Sequence, residues 1–385
     1  MNWRIILWPF SLPYGWITAL RNLFFDLGWM NSKSYPLPII CIGNLSTGGT
    51  GKTPMTEFVL NNINPGKGAM VSRGYGRKTK GLVIANPDST VNEIGDEPFQ
   101  IFNKFPGIKM ALAEKRELGI QAILKMNSAD FIVLDDAFQH RHVKASYHIL
   151  LSTFQDPFYS DFILPAGNLR ESRKGISRAD LVVITKCPDN LKEQEAQIIK
   201  NKIPGKKIYF STIKYGSPQN SVAMQNPVAP QDFAELRILA LTGIANPKPF
   251  IQHLNQKFKI SEHRKFPDHH NFTQSEMDGL TKYLDENPNR QILTTEKDWV
   301  RLKSKMDTHY LKRVYFLPIE LKILFNEEEN FKAEIKELLE NEIVGRYYFQ
   351  NGQKAHDLKS DDYVLKSIEM LTNLKEYKTI LSNQK

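Results

Sequence analysis

One stretch limits what this chain can fold into more than any other. Gly43-Asn44-Leu45-Ser46-Thr47-Gly48-Gly49-Thr50-Gly51-Lys52-Thr53-Pro54 follows an apolar run, Ile39-Ile40-Cys41-Ile42, and precedes a segment that reads as helix from Met55 to about Ile63. Strand, glycine-rich turn, Gly-Lys-Thr, helix is the order of a phosphate-binding loop. Glycines let the backbone curl so that several N–H groups face phosphate oxygens, and the helix N-terminus adds partial positive charge. On this reading Gly48, Gly49, Thr50 and Gly51 cradle the phosphates, Lys52 brings a full charge to the outer ones, and the Thr53 hydroxyl ligates Mg²⁺. The usual first glycine of G-x-x-x-x-G-K-T falls on Ser46, so Gly48 and Gly49 are expected to supply the flexibility. The bland alternative is a glycine-rich turn that happens to precede Lys-Thr.

Downstream the pattern alternates. Ala69-Met70-Val71, Leu82-Val83-Ile84, Lys109–Leu112, Phe131–Leu134, His148–Leu151 and Leu181–Ile184 read as strands, with helices at Glu97–Phe105 and Lys115–Met126. Alternation of this kind predicts an α/β fold: a P-loop, mostly parallel sheet with helices on both faces. A looser stretch with several Pro, Asn and Gln reads as a linker over 216–235, and a second βα pattern starts at Ile238-Leu239-Ala240-Leu241. The expected organisation is therefore an N-terminal segment 1–37, a P-loop domain 38–215, the linker, a smaller α/β domain 236–345, and a polar tail 346–385 of open role with a helical pattern from Asp361 to Leu381. Hinge motion is plausible near 215–235.

The N-terminal segment holds four of the five tryptophans (Trp3, Trp8, Trp16, Trp29), with Phe10, Leu20, Leu23, Phe24, Phe25 and Leu27, flanked by Arg4 and Arg21. Pro9 and Pro13 and the short uncharged stretch argue against a membrane span, and no small-residue cleavage site follows. Trp and Phe beside Arg suit a segment lying in the membrane interface; the alternative is a helix packed on the main domain. The moderate net charge of +9 suits nucleic acid, an anionic membrane surface or phosphorylated substrates. The two cysteines, Cys41 and Cys187, form no C-x-x-C pair, so neither zinc nor redox chemistry is signalled.

Five further clusters carry possible chemistry. Asp135-Asp136 closes a buried strand, where P-loop proteins place the carboxylate that holds Mg²⁺ or its water. Arg73-Gly74-Tyr75-Gly76-Arg77-Lys78 offers cations and an aromatic ring to a phosphorylated or sugar ligand, or is a basic surface loop. Asp96 in Gly95-Asp96-Glu97-Pro98 reads as a helix N-cap or as a proton acceptor. Asp268-His269-His270 raises a suspicion of zinc, with His140 and His142 as further candidates, but no H-x-x-x-H or cysteine partner supports it; a histidine oriented by an acid is the better reading. Thr294-Thr295-Glu296-Lys297-Asp298 is a ligand contact or a helix start.

Taken together with Leu164-Pro165, Gly167, Leu169-Arg170-Glu171, Gln139-His140 and Thr242-Gly243-Ile244-Ala245-Asn246-Pro247, these motifs resemble the tetraacyldisaccharide 4′-kinase family over roughly residues 1–345. The resemblance implies transfer of the ATP γ-phosphoryl group to the 4′-hydroxyl of tetraacyldisaccharide 1-phosphate, giving lipid IVA in lipid A biosynthesis. It implies ATP and Mg²⁺ as cofactors, and a site on the cytoplasmic face of the inner membrane, with the aromatic-rich segment resting on the bilayer. It implies Lys52 on the phosphates, Asp96 as catalytic base, and His269 as the partner that orients Asp96 or raises its basicity. Thr53, Asp135, Asp136 and Glu171 are metal-associated, and Arg73, Tyr75 and Arg116 grip the sugar-phosphate head. Ala137-Phe138 stands where Gly-Leu is more usual and should keep an apolar contact. A monomer that binds no nucleic acid is expected. Two rivals remain: a GTPase or ATPase switch, of which Thr185-Lys186-Cys187-Pro188-Asp189 is a partial imitation, and a membrane adaptor with a vestigial nucleotide site.

Overall fold

The computed structural model describes residues 3–63, 67–220, 236–347 and 365–366. Most of the expected linker, 221–235, and nearly all of the tail, including its helical pattern, lie outside the described residues.

The strands in chain order are β1 (Ile39–Asn44), β2 (Gly68–Ser72), β3 (Val83–Ile84), β4 (Lys109–Leu112), β5 (Phe131–Asp135), β6 (Tyr147–Thr153), β7 (Leu181–Thr185), β8 (Lys207–Tyr215), β9 (Arg237–Thr242), β10 (Lys259–Lys265), β11 (Arg290–Thr295), β12 (Val314–Leu317) and β13 (Ile319–Ile323). They form a nine-stranded sheet, β13-β8-β7-β6-β1-β5-β2-β4-β3, and a four-stranded sheet, β10-β9-β11-β12. The larger sheet is parallel except at its edges, where β13 runs against β8 and β3 against β4. Ile39, Ile40, Cys41 and Ile42 are all buried because a central parallel strand has both faces covered, so a continuous apolar run is what it needs.

Register places the site. β1 pairs in parallel with β5, aligning Ile42 with Asp135, so the phosphate loop and the acid pair leave the sheet at the same carboxyl edge. β2 beyond β5 and β7 beyond β6 deliver the Ser72–Lys78 loop and Thr185-Lys186 to that edge as well. The chain leaving β5 crosses so close to β1 that a Cβ on Gly43 would lie 2.6 Å from Phe138 Cβ. The buried Phe138 thus keeps the apolar contact expected of it.

Three strands escape the sequence reading. β8 lies at the front of what reads as a loose stretch. β10 is an edge strand rich in charge, KISEHRK, with no fully buried residue. β13 matters most, because the chain returns through it from the small sheet to the edge of the large one. The following helix, Glu328–Tyr347, sets Phe331 against Phe58 and Tyr209 at ring separations of 5.5 and 4.9 Å. Residues 319–347 therefore pack with the larger unit, and the small sheet ends at Leu317 rather than near 345.

At the N-terminus a 3-10 turn, Trp3–Leu7, leads into a helix, Trp8–Asp26. Its polar residues point inward: Arg4 donates to the carbonyls of Pro165 and Gly167 and to Asn168, Ser11 to Ile163 O, Tyr14 to Arg170 O, and Asn22 to Glu171. Its large apolar residues point outward, with Ile6, Phe10, Trp16 and Ile17 each more than 60% exposed. The helix is packed on the body by its polar side and leaves its greasy side bare. No helix among the described residues is long and apolar enough to cross a membrane.

Candidate active site

The phosphate loop is held open by its own backbone and by neighbours. Gly48 and Gly51 take the left-handed conformation, at φ 104° and 87°, so Gly51 rather than Gly49 joins Gly48 in turning the chain. Gly51 is the N-cap of the helix Lys52–Asn62, whose first N–H groups are aimed at the loop. Asn44 braces the turn from inside through Thr50 Oγ1 at 2.8 Å. From β7, Thr185 donates to Thr50 O at 2.8 Å and Lys186 to Gly49 O at 2.5 Å. The stretch that only imitates a switch protein's base-reading motif thus serves to hold the loop.

Lys52 Nζ lies 3.6 Å from Asp136 Oδ1, and Arg170 grips both oxygens of Asp136 at 2.9 and 3.3 Å. Burial raises the Asp136 pKa, but Lys52 and Arg170 outweigh it and hold the carboxyl below its ordinary value. Asp135 behaves in the opposite way: burial first, then the charges of Glu97 and Asp136, push it up to about 7. Its Oδ2 accepts from Ser72 at 3.3 Å, while its buried Oδ1 has no hydrogen-bond partner. A buried carboxylate oxygen left bare beside a phosphate loop fits a hard cation, and the half-buried Thr53 supplies a second oxygen donor. Among the described residues no cluster of three or more His, Cys, Asp or Glu could enclose a metal. That sparse donor set suits Mg²⁺, which keeps waters and borrows phosphate oxygens.

Two of the expected site residues are deeply buried. Glu171 is completely buried, and its oxygens accept from Asn22 at 2.7 Å, Gln139 at 2.9 Å and Arg178 at 2.7 Å. In this arrangement it ties the N-terminal helix to the loops behind the site. Arg116, also fully buried, spends its guanidinium on the backbone carbonyls of Ala113, Glu114, Asp135 and Asp136 at 3.0 to 3.5 Å. It fixes the strand end that carries the acid pair, and shows only part of itself to the cavity beyond.

That cavity, about 260 Å³, is lined by Tyr14, Thr18 and Arg21 of the N-terminal helix on one side and by Arg73, Arg116, Asp136, Gln139, His140 and Arg170 on the other. Four guanidinium groups face one carboxylate, so the space favours an anion. Burial and the nearby Arg116 lower the His140 pKa to about 4, which leaves that ring neutral at physiological pH.

The second cluster joins the two sheets. Asp96 starts the helix Asp96–Lys104 of the large unit; Gly95, at φ 89°, precedes it and is the actual N-cap. A Cβ on Gly95 would lie 2.7 Å from Tyr75 O, so only glycine lets the two loops touch. Facing Asp96 are His269, from the turn after β10, and Lys297 and Arg301, from the helix Glu296–Lys303 that follows β11. His269 Nδ1 is 3.0 Å from Asp96 Oδ2, Arg301 Nη2 contacts the same oxygen, and Lys297 Nζ is 3.9 Å away. Lys297 also stands 3.0 Å from His269 Nε2, which must therefore accept, leaving the ring proton on Nδ1 to be donated to Asp96. Asp96 Oδ1 takes only the Glu97 amide, at 3.0 Å. Burial works against the Asp96 charge, but the His269 hydrogen bond, Lys297 and Arg301 carry its pKa well below the ordinary carboxylate range. Its neighbours orient it and lower its basicity, the reverse of one expected effect of His269. Tyr75, exposed, meets the His269 ring edge-on at 5.3 Å, while Arg73 lines the anion cavity.

Arg301, Arg170 and Arg178 are the residues to which sequence reasoning gave no role. A signal for the first was present: Lys297 and Arg301 are four apart, and so share one face of a short helix.

The family model for tetraacyldisaccharide-1-P 4′-kinase matches residues 3–340. A curated relative from Flavobacterium johnsoniae named tetraacyldisaccharide 4′-kinase is 41% identical over 345 residues, which is 88% of this chain and 98% of the relative. One of the same name from Bacteroides fragilis is 40% identical, over 86% of this chain and 91% of its own. Among solved structures, an "apo" form of LpxK from Aquifex aeolicus in complex with ATP superposes with a TM-score of 0.70 at 30% identity, covering 87% of this chain and 99% of that one. With a phosphate loop, a paired acid and a second sheet unit all in place, and matches of this length on both sides, this chain belongs to the tetraacyldisaccharide-1-P 4′-kinase family.

Proposed function

We propose that this chain transfers the γ-phosphoryl group of ATP to the 4′-hydroxyl of tetraacyldisaccharide 1-phosphate, giving lipid IVA. The observation that carries the reading is the meeting of Asp96 and His269 at 3.0 Å, each from a different sheet unit, beside a phosphate loop. A sugar hydroxyl is a weak acid, and a carboxylate held in place assists its attack. The hydroxyl oxygen forms a bond to the γ-phosphorus, the bond from that phosphorus to the β,γ-bridging oxygen breaks, the proton goes to Asp96, and ADP leaves. Lys52 and the loop amides stabilise charge on the phosphoryl oxygens, and His269 holds Asp96 in the attacking orientation. Thr53 and Asp135 are the residues that would hold Mg²⁺, with Asp136 beside them. When bound, that ion neutralises phosphate charge and would itself favour the ionised form of Asp135.

The arginine-lined cavity between the N-terminal helix and the β5 end suits the phosphorylated sugar head, with Arg73 and Arg116 in its lining, and Tyr75, exposed beside His269, offers a ring to the sugar near Asp96. The bare apolar side of the N-terminal helix, Ile6, Trp16 and Ile17 included, suits the interface of a bilayer that keeps the acyl chains. The chain then works as a peripheral protein on the inner membrane, as a monomer.

The test supplies γ-labelled ATP, Mg²⁺ and the tetraacylated disaccharide 1-phosphate in mixed micelles. Label is expected on the acylated disaccharide. Label released only as free phosphate points instead to a nucleotide-hydrolysing switch. In parallel, Ile6→Ser with Trp16→Ser is expected to reduce sedimentation with anionic vesicles; unchanged sedimentation leaves the apolar face without a membrane role.

A further inference from the structure

Arg301 is built into the small unit with unusual care. Its Nη1 donates to Asp298 Oδ1 at 3.2 Å and to Gly243 O at 3.3 Å. Asp298, fully buried, is itself fixed by the Gly243 amide at 2.8 Å and by Thr295 Oγ1 at 2.7 Å. A Cβ on Gly243 would come within 2.8 Å of Asp298 Oδ1, so the turn after β9 is closed tightly around this acid. One edge of the guanidinium is thereby locked to its own unit. The other edge crosses to the large unit, where Nη2 meets Asp96 Oδ2 and passes 3.3 Å from His269 Nδ1. A planar fork with one side anchored can aim the other in a fixed direction, which an ammonium on a flexible stem cannot do.

We propose that Arg301 is a second positioning residue for Asp96, beside His269: it transmits the seating of the small unit to the carboxylate and fixes its rotamer toward the acceptor hydroxyl. This deepens the kinase reading and rests on it. Lys297 and His269 touch the same carboxylate but cannot replace Arg301. Lys297 is shared with Glu97 at 3.1 Å and Asp268 at 3.8 Å, and the His269 turn depends on the left-handed backbone at φ 56°. The charged and titratable groups facing Asp96 are His269, Lys297 and Arg301, with Glu97, Asp268 and Asp298 behind them.

The experiment compares wild type, Arg301→Lys and Arg301→Gln in the lipid transfer assay, with ATP affinity and thermal melting measured on each. With Asp96 mispositioned, kcat is expected to fall about 10²-fold in Arg301→Gln while ATP affinity stays within about twofold. Arg301→Lys, which keeps the charge but not the planar fork, is expected to recover only part of that loss, with KM for the lipid changing less than kcat in both variants. A folded Arg301→Gln protein whose kcat is unchanged, or whose loss is matched by an equal loss of ATP affinity, overturns the assignment while leaving the kinase reading intact. Absence of transfer to the lipid by the wild-type protein removes the kinase reading, and this assignment with it.

Discussion

The phosphate loop and the Asp96 cluster sit at one edge of the same sheet and are made in different ways. The loop is local. Twelve consecutive residues, 43–54, carry its glycines, its lysine and its helix start, and neighbours such as Thr185 and Lys186 only steady it. The cluster is assembled from residues 96, 269, 297 and 301, and exists only where two units meet. A loop preset by backbone geometry can bind nucleotide whatever the small unit does. A carboxylate aimed by groups from the other unit is set only when that unit is seated. On the proposed reading, chemistry depends on how the small unit is seated in a way that the local loop does not.

The comparison breaks first at Lys52. Lys52→Ala is expected to lose ATP binding and to drop transfer by about 10³-fold or more, because the loop's only full charge toward the outer phosphates is gone. Isothermal titration with ATP and the transfer assay check both. If the variant still binds ATP as wild type does, the loop's preset backbone suffices alone and Lys52 acts only in the reaction. Next comes Asp96→Asn, which keeps the shape of the carboxylate but cannot take a proton. Turnover should fall by about 10²- to 10⁴-fold while ATP affinity stays within about twofold. A matching loss of ATP affinity means that the two regions are coupled already in the nucleotide complex.

The same contrast explains what could be read from the chain beforehand. The loop, the central strands and Asp135-Asp136 were legible because each is a short pattern with one physical reading: an apolar run, a turn of glycines, an acid where the strand ends. The pairing of Asp96 with His269 across 173 positions of sequence has no local signature, and entered only through resemblance to a family. The burial of Glu171 and Arg116 went unread for a related reason: both are fully buried, Glu171 held by Asn22, Gln139 and Arg178, and Arg116 donating through Nη1 and Nη2 to backbone carbonyls while its Nε has no hydrogen-bond partner among the described residues. Burial depends on which distant segments cover a loop, and periodicity does not carry that. The return of β13 to the large sheet was invisible for the same cause: Ile319–Ile323 alternates like any edge strand, and nothing in it names its partner.

The smallest effect sharpens the comparison at the far end of the contact between the two units. Along the helices Asp96–Lys104 and Glu296–Lys303 the charges are complementary: Asp96 meets Arg301, Glu97 meets Lys297, and Lys104 lies 2.7 Å from Glu57 and 3.6 Å from Glu296. There two acids share one ammonium. Burial and the charge of Glu57 outweigh Lys104 and push the Glu296 carboxyl up to about 7 from an ordinary value of 4.5, and burial raises Glu57 too. A carboxyl whose folded pKa is raised stabilises the folded state fully below its unfolded value, and that contribution is lost as pH rises through the folded one. The contact between the units should therefore loosen from about pH 4.5 to about pH 7. Glu296→Gln, which stays neutral throughout, should flatten the decline of the thermal midpoint over that interval by roughly a few degrees. The phosphate loop contains no such group, so ATP affinity in this variant should keep the wild-type pH dependence. A midpoint curve that parallels wild type would place the titrating group elsewhere and remove the ionic account of how the small unit is seated.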